Sequence, residues 1–259
     1  MSFRIIGTGR CVPEYVLTNE EISTMVETSD EWISTRTGIK ERRICTKETI
    51  TDLAVTAAKN ALEDAKAAPE ELDMIICGTI RGEFISPSEA CVIQKKLGAR
   101  CPAFDVNAAC SGFLYGTAVA RGLLATMGGR YALVVGCEAL SRLIDPTDRS
   151  TCVLFGDGAG AAVFELTAAP VPFAVTLGAR GDAAIHAGGP SREGSAPITM
   201  DGKAVFRFAV DALPRCLHAV LEETGKTLDE LDWVVCHQAN SRIIDHCVRA
   251  LKADPAKFY

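Results

Sequence analysis

Histidine and aromatic residues are scarce in this 259-residue chain, which has four histidines, two tryptophans and 6% aromatics in all. There is no CxxC pair and no HExxH, so nothing offers the ligand spacing of a structural zinc site, and no metal is expected. No apolar run is long enough to span a bilayer, and no basic segment followed by an apolar one opens the chain. Positive charge is not in excess either: the net charge of −6 gives no general attraction to nucleic acid or an anionic membrane. What remains is a 48% hydrophobic, 23% charged composition, that of a soluble globular protein, long enough for one large domain or two smaller ones. The 11 cysteines, an odd number with no pairing pattern, suit a reducing cytosol rather than a disulfide framework.

Strands alternate with helices along the chain. "TNEE" (Thr18 to Glu21) is a capping box opening a short helix, and "TDLAVTAAKNALEDAKAA" has helical spacing of alanine and leucine. "DMIICG" reads as a buried strand, "PSEACVIQKKLG" as a helix closed by Gly98, and "PAFDV" as another strand. A helix then runs to Gly128-Gly129, and "YALVVG" follows as a strand. "GDGAG" lacks the GxGxxG spacing, the GK[ST] ending and the following helix of a phosphate loop, so it is expected to be a tight turn between two strands. The pattern is that of an α/β protein.

"EELDMIIC" (Glu70 to Cys77) recurs as "DELDWVVC" (Asp229 to Cys236), each after an amphipathic helix and before a turn and another helix. Two related halves are expected, residues 1–166 and 167–259. On the same offset the second half should lack counterparts of everything after Arg100, and so be incomplete in this chain.

"DVNAACSGFLYG" places Cys110 at a strand-to-helix junction. Backbone N–H groups there favour a thiolate, which should lower the thiol pKa, and could also donate to an oxyanion. Ala108, Ala109, Ser111 and Gly112 leave room for a carbonyl carbon to reach the sulfur. His237, following the expected strand "DWVVC", is a candidate proton or hydrogen-bond donor; a structural histidine is the plainer alternative. "TSDEWISTRTGIKERR" combines Trp32, a stacking face for a base, with Arg36, and "DPTDRST" adds Arg149; guanidiniums suit phosphates, though an ordinary charged surface would also contain them.

Together, "IIGTGRCVPE", "TSDEWISTRTGI", "CPAFDVNAACSGF", "YALVVG", "DPTDR", "FGDGAGAAV" and "LDWVVCHQANSRII" resemble the β-ketoacyl-[acyl-carrier-protein] synthase III family of the thiolase superfamily. The resemblance implies a thiolase-like, five-layered αβαβα fold of two pseudo-duplicated halves, usually as a homodimer in the cytoplasm. It implies that Cys110 takes an acyl group from acetyl-CoA or a related acyl-CoA. Decarboxylative condensation with malonyl-acyl carrier protein then initiates type II fatty acid synthesis. His237 would hydrogen-bond the malonyl thioester carbonyl together with an asparagine that the family carries in a segment beyond the residue matching Tyr259. Thr28, Trp32, Arg36, Arg149, Gly202, Ala239 and Asn240 fall on coenzyme A and pantetheine positions, and Gln238, Ala239, Asn240, Ser241 and Arg242 on the carrier-protein docking segment. Phe84 and Ser86 fall on the acyl pocket, where Ser86 replaces a common aromatic and would admit a longer or branched primer. No cofactor is implied.

Three readings stay open on the residues. The first is the condensing enzyme. The second is a condensation-deficient homologue serving as a binding subunit, and the third a related thioester acyltransferase. A papain-like protease is disfavoured, because the sequence around Cys110 does not resemble "CGSCW".

Overall fold

A computed structural model describes residues 1–188, 190–191 and 194–259, with backbone alone at 190, 191, 194 and 195. In chain order the elements are β1 (Ser2–Cys11), β2 (Tyr15–Thr18), α1 (Asn19–Ser23), α2 (Asp30–Thr37), β3 (Glu41–Ile44), α3 (Ile50–Ala65) and β4 (Met74–Gly78). There follow α4 (Glu89–Leu97), β5 (Ala103–Val106), α5 (Gly112–Met127), β6 (Tyr131–Ala139), α6 (Arg149–Cys152) and β7 (Asp157–Thr167). Four two-residue strands, β8 (Ile185–His186), β9 (Pro190–Ser191), β10 (Gly194–Ser195) and β11 (Thr199–Met200), precede α7 (Gly202–Thr224) and α8 (Ser241–Leu251). The chain forms two compact units.

The first unit comprises Met1–Val16, Arg43–Ala139 and Gly156–Phe173. Its sheet has the order β1-β7-β6-β4-β5, with β4 parallel to β5 and β6 and β7 antiparallel to both its neighbours. Alternate residues of each strand serve opposite faces. Ile75, Cys77, Leu133 and Val135 pack under the alanine face of α3 and the start of α4, whereas Ile76, Val134, Ala162 and Phe164 pack against Ala120 and Leu124 of α5. Both faces are covered, which is why "MIICG" is an unbroken apolar run. A capping box of Thr49 and Asp52 starts α3. That helix lies so close to β1 that a Cβ on Gly9 would stand 2.1 Å from the Ala57 carbonyl oxygen, so only glycine fits.

The "GDGAG" segment is not a turn. Gly158 and Gly160 lie inside β7, paired with Glu138 and Gly136 of β6, and Gly160 also pairs with Arg10 of β1. A ladder on both sides outweighs the turn tendency of the glycines, and the Asp157 carboxylate anchors the start of the strand by accepting the Cys45 N–H at 2.8 Å.

The second unit comprises Leu17–Arg42, Leu140–Phe155 and Ala174–Tyr259, so residues 17–42 and 140–155 cluster with the C-terminal part of the chain. Ile22, Ile33, Cys152 and Val153 form one core, flanked by Trp32 and Ile144. Arg42 is buried and donates to Asn19 Oδ1 and the Val153 carbonyl, which satisfies a charge that would otherwise be costly to bury. Asp201 caps α7 by accepting the N–H groups of Lys203 and Ala204, and α7 packs against α8. Among the described residues, no helix is long and apolar enough to cross a membrane.

The repeat recurs as structure. Short helical turns at Pro69–Glu71 and Leu228–Glu230 are each closed by a glutamate, with Glu71 accepting the Ala68 N–H and Glu230 the Thr227 N–H, both at 2.8 Å. The strand expected at "DWVVC" is reduced to a single parallel bridge, Val234 to Phe258, leaving Val235 77% exposed. β4 is hydrogen-bonded on both edges, whereas among the described residues Val234 has one extended neighbour, too little to build a strand. α8 ends at Leu251, 154 residues after the Leu97 end of α4 rather than 159, because the preceding loop is shorter. The parallel Val234–Phe258 bridge therefore stands to the second copy of the repeat as the Ile75–Ala103 pair of β4 and β5 stands to the first.

Candidate active site

Cys110 sits in a single tight turn, Ala109–Ser111, immediately before α5. The turn follows "DVNA", where the chain leaves the carboxyl end of β5. Ala109 has φ +46°, a left-handed conformation that costs a non-glycine residue about 1–2 kcal/mol, and the strain lies next to the sulfur. The turn is pressed onto the sheet by two glycines. A Cβ on Gly78 would stand 2.6 Å from the Gly112 carbonyl carbon, and one on Gly112 3.2 Å from Gly78 Cα.

Cys110 is exposed as a residue, although protein packed on the inner side of the sulfur partly desolvates it. That desolvation is the largest cause and pushes the thiol above its ordinary value; the residue's own N–H acts the other way, and the charge of Glu138 adds a smaller rise. The lowering expected from the helix start is therefore not the net effect. Phe84 and Ser86 lie on the segment leaving β4 at this same end of the sheet; both are exposed, as is the neighbouring Ile85 at 98%.

In the second unit, Ser29 caps α2 by accepting the Trp32 N–H, and Gly38 closes the helix in the left-handed conformation. Arg36, one turn on, places its guanidinium carbon 4.7 Å from the indole centroid. Arg149, remote in sequence, comes to 4.9 Å from the same ring and donates to the Glu27 carbonyl at 2.8 Å. Two guanidiniums on one indole make an electropositive stacking platform. Thr28, beside it in sequence, has a buried hydroxyl without a partner.

His237 follows the Val234 bridge directly, and burial of its ring lowers its pKa although the residue retains exposed surface. The neutral ring is thereby favoured at neutral pH. Gln238 and Ala239 are exposed. The Asn240 side chain caps α8 by accepting the Arg242 N–H at 2.9 Å, so its oxygen has a structural use that the sequence did not announce. Ser241 lies against Gly38, Arg242 is exposed, and Gly202 opens α7 with free space where a Cβ would be.

Residues 104–181 match the family described as 3-oxoacyl-[acyl-carrier-protein (ACP)] synthase III, and residues 221–259 match its C-terminal part. The chain is 42% identical to the β-ketoacyl-[acyl-carrier-protein] synthase III of Clostridium acetobutylicum, over 100% of this chain and 83% of that protein. Its structure superposes on 3-oxoacyl-[acyl-carrier-protein] synthase III from Aquifex aeolicus VF5 with a TM-score of 0.93 and 43% identity, covering 100% of this chain and 83% of the other. The enzyme of that name from Pseudomonas aeruginosa PAO1 gives 0.92 and 36%, covering 100% and 82%.

The chain belongs to the β-ketoacyl-[acyl-carrier-protein] synthase III family.

Its fold is accordingly the thiolase-like α/β fold of that synthase family. Within single units, the structure brings Trp32, Arg36 and Arg149 onto one ring, and sets Cys110 at the sheet end from which the Phe84 and Ser86 segment departs. One further titratable group in the first unit escaped the sequence reading. Glu138, in "VVGCEAL", is raised to about 7, chiefly by burial, and its charge is felt by the Cys110 thiol. A carboxylate closing an apolar strand run was the available signal.

Proposed function

We propose that the protein is the condensing enzyme that initiates type II fatty acid synthesis, with Cys110 as the acyl carrier. The observation that supports this best is Cys110, exposed as a residue in a strained turn at the start of α5, among small side chains, in a chain of this family. The Cys110 sulfur attacks the thioester carbonyl of an acyl-CoA, the bond to the coenzyme A sulfur breaks, and acyl-Cys110 and free coenzyme A result. Malonyl-acyl carrier protein then loses carbon dioxide, and the enolate carbon attacks acyl-Cys110, releasing the thiol and 3-oxoacyl-acyl carrier protein.

In this scheme Trp32, Arg36 and Arg149 take the coenzyme A nucleotide, by stacking and by charge, and the Thr28 hydroxyl adds a donor. Gly202, Ala239 and Asn240 border the pantetheine arm, and Phe84 and Ser86 set the primer size. His237 donates to the malonyl thioester carbonyl. The exposed Arg242, with Gln238 to Ser241, meets an acidic carrier protein. A homodimer would cover the exposed Phe84 and Ile85, apolar surface that isolated chains rarely leave bare. Eleven free cysteines fit a reducing cytoplasm.

Incubation with radiolabelled acetyl-CoA followed by peptide mapping tests the first step. Label on the Cys110 peptide, abolished by Cys110→Ala, is expected. A binding-subunit reading predicts no label and an unchanged partner effect in that variant, and the intact exposed thiol speaks against it.

A further inference from the structure

The α5 face of β6 reads Val134, Gly136, Glu138. A Cβ on Gly116 would lie 3.2 Å from Val134 Cγ1, and one on Gly136 would lie 3.8 Å from Phe113. These contacts step toward the start of α5, so the next position on that face, Glu138, falls level with the residues before Gly112. The neighbouring strand gives the same placement. Ile76 and Gly78 of β4 pair with Val134 and Gly136, and Gly78 touches Gly112. Just past the end of that ladder, the Ile80 N–H donates to Glu138 Oε1, and the Thr79 hydroxyl bonds to the same carboxylate.

We propose that Glu138 is a positioning residue for the Cys110 reaction: its carboxylate fixes the Thr79–Ile80 turn at the carboxyl end of the sheet and sets the charge that the Cys110 thiol meets. This rests on Cys110 being the nucleophile. The β4 turn presents the Thr79 hydroxyl and the Ile80 N–H, both uncharged, and the turn before α5 presents the Cys110 thiol. Among the described residues, Glu138 is the charged group that raises that thiol. Burial holds Glu138 near 7, so its charge switches within the physiological range. Above that pH the ionised carboxylate opposes the thiolate; below it the neutral acid does not. The ionised carboxylate thus lowers the resting thiolate fraction of Cys110, and the thiolate released in condensation takes up a proton from solvent water the more readily.

The test is the pH dependence of Cys110 alkylation by iodoacetamide, read on the Cys110 peptide by mass spectrometry, which needs no acyl-CoA. The unsubstituted protein should show an inflection near pH 7 in addition to the thiol titration. Glu138→Gln keeps an acceptor for Ile80 but no charge. It should lose that inflection and alkylate about three- to tenfold faster near pH 8, a shift of half to one pKa unit. Glu138→Asp, with the charge drawn back by one methylene, should shift the same way by less, and serves if the Gln variant fails to fold. Profiles that superpose on the unsubstituted protein in the folded variants, or that move to higher pH, overturn the proposal. Absence of acetyl transfer in the unsubstituted protein would instead remove the reading of function and leave these titrations standing.

Discussion

At the scale of single residues, the side chains to which our proposal gives chemical roles have surroundings that oppose their ordinary behaviour. Cys110 is held up by its neighbours, and His237 is held down by burial. A pKa lowered from 6.5 means that the neutral imidazole persists to lower pH, and protonation begins only below its ordinary value. The His237 ring resonance in an NMR titration should therefore have its midpoint below 6.5, and a midpoint above that value would contradict the assigned burial. Trp32 gives a second expectation. Removing the indole that Arg36 and Arg149 adjoin costs a base about 1–3 kcal/mol of stacking. Trp32→Ala should then raise the KM for acyl-CoA roughly 5- to 150-fold, with kcat at saturation nearly unchanged. A fall in kcat at constant KM would place the nucleotide elsewhere.

Elements are tied together by carboxylates that no pattern of hydrophobicity reveals. Asp105, at the end of β5, accepts the Glu89 and Ala90 N–H groups, each at 2.8 Å, and so holds the first turn of α4 to the sheet. Asp105→Ala leaves both donors without partners and should destabilise the protein by about 2–3 kcal/mol, seen as a lower urea midpoint at unchanged slope. Asp105→Asn should lose less, because one oxygen remains. This explains how far the sequence could be read. α3, α4 and α5 were legible because their signals are local: the alanine and leucine spacing of α3, and Gly98 and Gly128, each closing its helix within one turn. β7 and the "DWVVC" segment were not, since a strand exists only if neighbours pair with it. The glycines of β7 have neighbours on both sides, whereas Val234 has one. The site followed the same division. Cys110 announced itself through its small neighbours and Arg149 through its motif, while the meeting of Arg149 with Trp32 and of Glu138 with the Thr79–Ile80 turn depends on contacts distant in sequence.

Across the whole molecule, the repeated order of helix, short turn, extended segment, helix and extended segment supports our proposal that residues 1–166 and 167–259 are related halves. The cysteines allow the packing of the entire chain to be checked in one experiment. All 11 are free; Cys110 and Cys216 are exposed, and Cys77, Cys101, Cys137, Cys152 and Cys247 are buried. Cys77 and Cys137 touch each other across β4 and β6 at 3.4 Å, deep in the sheet, and burial carries Cys101 to about 11. A thiolate is the reactive form, so burial slows reaction both by blocking access and by raising the pKa. In native protein at pH 8, a disulfide reagent should label Cys110 and Cys216 ahead of all others, and denaturant should release the full complement. Prior alkylation of Cys110 should leave Cys216 as the fast site. Early labelling of Cys77 or Cys137 would show that the sheet opens in solution, and the strand pairing that fixes Glu138 at the end of β6 would fail with it.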